Sequence, residues 1–258
     1  MRIGCLLSVR DKATRLPNKV FLDLAGMPLI IWLLNRLKKK CNEIVDVVVS
    51  TSTHPNDKKL VDLAHSAGFK SFCGSEQDKL SRYLNTAEYY NFDVVIIVDG
   101  DDPFCFPEGV DAISLEMKGD STIDCAYISG LPVGAGCVGL SIGALRKIMS
   151  IKDEIDTEVW GGYFIGSGYF NVKQIRLDNP FLSDESIRLT VDYLDDYKFT
   201  QEVIKGLNNS FEFSSAELME LLINKNPELR SINSDAQALY EAHLGLAAPV
   251  KFKDRHGS

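Results

Sequence analysis

No apolar stretch in this 258-residue chain approaches the ~18 residues a membrane-spanning helix needs, so a helical integral membrane protein is excluded. Cysteine is sparse and scattered: Cys5, Cys41, Cys73, Cys105, Cys125 and Cys137 include no Cys-x-x-Cys pair. That spacing supports neither a zinc centre nor a disulfide framework, and it predicts reduced core or near-core thiols in a cytoplasmic protein. Positive charge is in deficit, with 28 Lys and Arg against 36 Asp and Glu and a formal charge of −8. No basic run is longer than Lys38-Lys39-Lys40, so binding to nucleic acid through its phosphate backbone is not expected. Histidine is rare, and His54 and His65 have no partner at ligand spacing, so both read as ordinary polar residues. Nothing repeats internally and no segment is of low complexity. With 45% hydrophobic and 25% charged positions, the composition excludes collagenous, coiled-coil and disordered chains.

What is present is an alternation of short apolar runs with segments of helical period. Residues 3–9, 45–51 and 93–98 read as strands; the first run is too short for a signal peptide. Residues 28–40 read as a helix, opened by Pro28 and closed by three lysines that suit its negative C-terminal end. A second helix follows Pro55, where Leu60, Val61, Leu63, Ala64 and Ala67 share a face up to Gly68. Residues 70–73 form a short strand, and Leu80, Tyr83, Leu84 and Ala87 mark another helix. The pattern predicts an α/β fold of three layers, a mostly parallel sheet with helices on both faces. After Asp120 the rhythm loosens: residues 123–129, 137–142, 170–177 and 187–191 read as strands and 193–207 as a helix. Ser214-x-x-Glu217 has capping-box spacing and opens a last clear helix. Residues 1–230 are expected to form one domain, and 231–258 a weak helix with a frayed tail.

In a parallel α/β sheet, ligands sit at the carboxyl ends of the strands. Three clusters fall there. After the first strand come Arg10, Lys12, Arg15 and Lys19, a cationic loop in an acidic chain that can wrap a polyphosphate. It lacks the glycines and the Gly-Lys-Ser/Thr ending of a Walker loop. After the strand at 93–98 come Asp99, Asp101 and Asp102, hard-oxygen donors of the type Mg²⁺ takes together with substrate phosphates. The stretch Arg188-Leu189-Thr190-Val191-Asp192 ends in a carboxylate that can pair with Asp101 as a second metal ligand. Gly134-Ala135-Gly136 reads either as a close backbone approach to a ligand or as a plain turn.

These blocks together resemble the cytidylyltransferases that activate 3-deoxy-manno-octulosonate and the related spore-coat polysaccharide cytidylyltransferases. The first block is Ser8-x-Arg10-x-x-x-Thr14-Arg15-Leu16-Pro17-x-Lys19. It is followed by Val47-Val48-Val49-Ser50-Thr51-Ser52, Cys73-Gly74-Ser75-Glu76-x-Asp78-x-Leu80-x-Arg82-Tyr83 and Asp99-Gly100-Asp101-Asp102-Pro103-Phe104. Leu131-Pro132-x-Gly134-x-Gly136 and Arg188-Leu189-Thr190-Val191-Asp192 complete the series.

The resemblance implies a Rossmann-like nucleotidyltransferase that moves CMP from CTP to a small acidic acceptor, with Mg²⁺ and release of pyrophosphate. By the same resemblance Arg10, Arg15 and Lys19 hold the triphosphate, while Asp101 and Asp192 bind the metal. Ser8, Val9, Thr14, Thr51, Gly74, Ser75, Asp78, Arg82 and Asp99 belong to the nucleotide pocket, and the catalytic set is Arg10, Arg15, Lys19 and Asp101. A homodimer working in polysaccharide or glycoconjugate precursor synthesis is the family expectation. There are departures: Asn18 stands where the family commonly has Gly, Lys12-Ala13 replaces a Gly-Ser pair, and Asp99 replaces Gln or Thr. Residues 157–164 are unlike the octulosonate enzymes and are expected to line the acceptor pocket. Two other readings stay open. Asp99-Gly100-Asp101 is formally the Asp-x-Asp motif of a nucleotide-sugar glycosyltransferase, and the loop departures would suit a CTP-binding homologue without turnover.

Overall fold

The computed structural model describes residues 1–11, 15–244 and 250–253. β1 (Ile3–Ser8) is buried along its whole length. A short hairpin, β2 (Asp23–Leu24) and β3 (Met27–Pro28), leads into α1 (Leu29–Lys40). β4 (Asp46–Ser52), α2 (Lys58–Ser66), β5 (Lys70–Gly74), α3 (Lys79–Tyr90) and β6 (Val94–Asp99) follow in the alternation the sequence predicts. Then come α4 (Pro107–Gly119), β7 (Cys125–Ile128), β8 (Val138–Ser141), α5 (Ile142–Ile151), β9 (Val172–Ile175), α6 (Leu194–Gly206), α7 (Ser215–Glu220) and α8 (Ala236–Leu244).

The main sheet runs β5-β4-β1-β6-β8-β7-β9. β5, β4, β1 and β6 are parallel, β8 runs antiparallel to both β6 and β7, and β9 returns parallel to β7. Alternate strand residues feed two cores. Cys5, Leu7, Val47, Val49, Ile96 and Val98 pack toward α1, α2, α4 and α6. Leu6, Val48, Val95 and Ile97 pack toward α3 and α5 through Leu80, Tyr83, Ala87, Ala144, Leu145 and Ile148. This is the expected three-layer α/β fold with a mostly parallel sheet.

Two features of the second half depart from expectation. Residues 187–191 are not a sheet strand. Their one ladder contact is an isolated bridge between Val133 and Arg188, and Arg188 and Thr190 are buried along with Ile187, Leu189 and Val191. A segment buried on both faces without strand neighbours runs beneath the cleft and spends its backbone groups there. Leu189 N donates to Val133 O at 2.7 Å and Val191 N to Asp101 O at 2.9 Å. The described part of the expected frayed tail is also paired: Phe252 bridges Lys152, and its ring stands 4.7 Å from that of Tyr169. All six cysteines are free, and Cys73 is exposed rather than near the core. Among the described residues no helix is long and apolar enough to cross a membrane.

Candidate active site

The carboxyl ends of β1 and β6 open into a cleft of about 430 Å³, within the range of small-molecule sites. Ser8, Val9, Arg10, Arg15, Lys19, Arg82, Asp99, Asp101 and Asp192 all line it, so most of the expected pocket residues meet at one place. Thr14 lies outside the described residues.

The cationic loop is tethered at its start. Asp57, buried beside the end of β4, accepts from Asp11 N at 2.7 Å and from Ser52 Oγ at 2.5 Å. At its far end Asn18 adopts φ 55°, ψ 24°, the left-handed conformation that favours glycine and that Asn tolerates. The substitution therefore preserves the local backbone that places Lys19.

Lys19 Nζ donates to Asp101 Oδ2 and, at 2.9 Å, to Asp192 Oδ1. Arg15 Nη2 reaches the same Asp192 oxygen at 2.8 Å, and Arg188 Nη2 takes the other, Oδ2, at 2.9 Å. Burial pushes the Asp192 carboxyl up, but Lys19, Arg15 and Arg188 together hold it below the usual carboxylate range. Burial likewise opposes charge on Lys19, and Asp101 and Asp192 overcome it, so its ammonium titrates above the ordinary lysine value. Behind this group Asp196 is fully buried. It pairs with Arg188 Nε at 3.0 Å and accepts from the backbone N–H of Asp192 and Tyr193 at the start of α6, both at 3.0 Å.

Gly134 makes this arrangement compact. It sits at φ +84°, and a Cβ there would lie 2.5 Å from Thr190 N. The glycine is thus a close backbone approach within the cleft wall.

At the other end of the cleft Arg10 donates to Glu76 O and to the Glu158 carboxylate, which also binds Lys79 Nζ at 2.9 Å. Asp99 opens into the cleft between these cations and Asp101. Lost hydration raises its pKa, Lys79 opposes that rise and Asp101 adds to it. Ser8 Oγ and Tyr83 Oη share a 2.6 Å hydrogen bond beneath the pocket. Arg82 is fully buried, and its Nη1 donates to Ser75 O at 2.9 Å. Among the described residues its Nε and Nη2 have no hydrogen-bond partner, whereas buried polar groups are usually paired.

The remaining expected pocket residues stand one layer back. A Cβ at Gly74 would meet Arg82 Cγ at 2.9 Å, so the glycine makes room for that side chain. Ser75 Oγ accepts from Asp78 N at 3.0 Å. Asp78 caps α3 through Ser81 N at 3.1 Å and pairs with Lys152 Nζ at 2.7 Å. Thr51 is buried in β4 away from the cleft lining. From residues 157–164 only Glu158 lines the cleft. Tyr163 and Phe164 join the core, and Trp160 packs edge-on to Tyr83 at 5.8 Å, because aromatic burial outweighs exposure to a polar cleft. Glu158 falls within the stretch expected to line the acceptor pocket, whereas sequence reasoning missed Lys79, Asp196 and Tyr240. Lys79 follows the recognised Asp78 directly, which was the available signal; the others come from segments without a recognisable motif.

Residues 5–130 match the family model described as cytidylyltransferase. This stretch, just under half of the chain, is similar to that family. The spore coat polysaccharide biosynthesis protein SpsF of Bacillus subtilis is 26% identical over 231 residues, 86% of this chain and 94% of that one. A 3-deoxy-manno-octulosonate cytidylyltransferase of Chloroherpeton thalassium is 33% identical over 130 residues, covering 50% of this chain and 51% of its own length. The structure of a cytidylyltransferase from Leptospira borgpetersenii serovar Hardjo-bovis aligns with TM-score 0.81 at 26% identity, covering 89% of this chain and 97% of the other. The cationic loop, Arg82 and Asp101 lie within the matched segment, whereas Asp192 and its supporting network lie beyond it.

Proposed function

We propose that the protein transfers CMP from CTP to a small anionic acceptor with release of pyrophosphate, assisted by Mg²⁺. The observation that carries this reading is the meeting of Asp101 and Asp192, remote in the chain, on the single ammonium of Lys19 inside a cation-lined cleft. The match of residues 5–130 to the cytidylyltransferase model supports a cytidylyl donor. The names of the relatives support an acidic sugar as acceptor and a place in polysaccharide biosynthesis; a sugar phosphate presents oxygen to the same site. A homodimer belongs to the same reading.

The residues fit a divalent cation. The Lys19 ammonium stands where one oxygen from each aspartate converges, and both donors are the hard carboxylates Mg²⁺ prefers. Among the described residues no three His, Cys, Asp or Glu side chains form a metal-holding group, which suits an ion that shares its coordination with substrate phosphates and water. Asp101 and Asp192 would hold it, and when bound it supplies charge neutralisation and Lewis acidity at the phosphoryl group. Arg10, Arg15 and Lys19 grip the triphosphate through charge-assisted hydrogen bonds. Glu158 gives up Arg10 as the phosphates arrive. Arg82 offers its unpartnered donors to the nucleotide from the side of α3. An acceptor oxygen held in line displaces pyrophosphate from the α-phosphorus, and the loop cations stabilise the departing charge.

The Asp-x-Asp reading of a glycosyltransferase would join Asp99 and Asp101 at one ion. Here Asp101 shares the Lys19 ammonium with Asp192, which favours that pair over Asp99 and Asp101 as the place for an ion. Pyrophosphate release scored for the four nucleoside triphosphates against a panel of sugar acids, sugar phosphates and phosphonates tests the proposal. Release only with CTP and one acceptor class is expected; sugar transfer from a nucleotide sugar would overturn it.

Arg15→Ala provides a narrower test. Its side chain is 31% exposed, so the melting temperature should barely move. CTP affinity by calorimetry should fall about tenfold or more, the effect of one lost charge-assisted contact. Lys19→Ala should lower both affinity and melting temperature. Lys19 is only 12% exposed, and its removal leaves two carboxylates facing each other.

A further inference from the structure

The C-terminal segment reaches the cleft from outside the family-matched residues 5–130. Asn233 Nδ2 donates to Arg188 O at 3.2 Å and to Asp196 Oδ1 at 3.0 Å. Gln237 Oε1 accepts from Arg188 Nη1 at 3.1 Å. These contacts seat α8 on the Arg188–Asp196 pair and bring Tyr240, in the next turn, into the cleft wall. The guanidinium carbon of Arg188 lies over the Tyr240 ring, 5.0 Å from its centre, and that of Arg15 lies 5.8 Å from it. Tyr193 lies on the same two cations, 5.3 Å from Arg15 and 6.0 Å from Arg188.

Arg15 hydrogen-bonds Asp192 Oδ1, the oxygen that also holds Lys19. Binding of the substrate anion requires Arg15 to turn its donors from that carboxylate to phosphate, and a long side chain freed from its partner gains rotamers. An aromatic ring attracts the cation without offering an acceptor oxygen, so it steadies the guanidinium while leaving its N–H groups available.

We propose that Tyr240 is a positioning residue for the triphosphate: its ring holds Arg15 in place, which makes the C-terminal helix a working part of the nucleotide site. This rests on the reading that Arg15 grips the triphosphate. The experiment is calorimetric titration of the full chain with CTP and, separately, with inorganic tripolyphosphate, together with steady-state kinetics. Tyr240→Leu should weaken both anions about five- to tenfold and raise KM for CTP with a smaller change in kcat. Tyr240→Phe, which keeps the ring, should restore affinity to within about twofold of the unmodified protein. In an Arg15→Ala background, Tyr240→Leu should add no further loss. Unchanged affinity in Tyr240→Leu overturns the proposal. So does a Tyr240→Phe as weak as Tyr240→Leu, or an equal loss in the Arg15→Ala background. If the unmodified protein binds tripolyphosphate but not CTP, the cytidylyl reading fails while the clamp is still measured on tripolyphosphate. Binding of neither anion overturns both.

Discussion

Asp101→Asn and Asp192→Asn should each reduce pyrophosphate release at saturating CTP by roughly a hundredfold or more, the scale associated with removing one charge-stabilising group from a phosphoryl site. The double variant should be little worse than either single one, because both carboxylates would serve the one proposed ion and residues that act as a unit are strongly non-additive. The two variants should differ in stability. Asp101 is bound by Lys19, whereas Asp192 is bound by Lys19, Arg15 and Arg188 and is only 5% exposed. Asp192→Asn should therefore lower the melting temperature and Asp101→Asn should leave it nearly unchanged. Asp195, whose exposed carboxylate binds Lys198 at 2.8 Å, is the control: Asp195→Asn should keep activity. Multiplicative losses in the double variant, or a dead Asp195→Asn beside an active Asp192→Asn, would show that the ion is held elsewhere.

The largest effect on folding is expected at Asp196, a residue with no assigned chemistry. Its carboxylate is fully buried and answers Arg188 Nε, two backbone N–H groups and Asn233 Nδ2. Asp196→Ala leaves Arg188, itself 4% exposed, with an incompletely compensated charge. Breaking a buried pair in this way costs about 3–5 kcal/mol. Urea denaturation should show a loss of that size, together with weaker CTP binding as Arg188 and Asp192 lose their orientation. A loss below about 1 kcal/mol, as for an ordinary surface change, would mean that solvent reaches the pair.

The parts of this fold legible in sequence were those where one local pattern had one physical solution. Val94–Asp99 is a continuous apolar run that ends in acid, and only a central buried strand accommodates it. The helix Leu29–Lys40 carries its charge at the end where the dipole favours it. The Arg10–Lys19 loop and the paired aspartates were legible as chemistry because cations and carboxylates at strand ends are few and their order matched a known series. The direction of β8 was not legible, since the sequence Val138–Ser141 is equally compatible with either pairing. Residues 187–191 misled for the opposite reason. Their apolar alternation, Ile187, Leu189 and Val191, is real, but these positions are buried outside any sheet. Tyr240 could not be foreseen at all. A single tyrosine on a helix with no motif acquires its place only when the chain end is seated on Arg188.

The backbone bond from Val191 N to Asp101 O, 2.9 Å long, sets how far apart the backbones of Asp101 and Asp192, the aspartates proposed to hold the metal, can stand. Every residue except proline supplies that N–H, so this gauge is largely indifferent to the side chains around it. The segments flanking the two aspartates are thereby free to change composition, and with it the shape presented to an acceptor, while the gap between the carboxylates stays constant. A spacing written into the polypeptide's own geometry lets one half of the proposed site diversify without renegotiating the other.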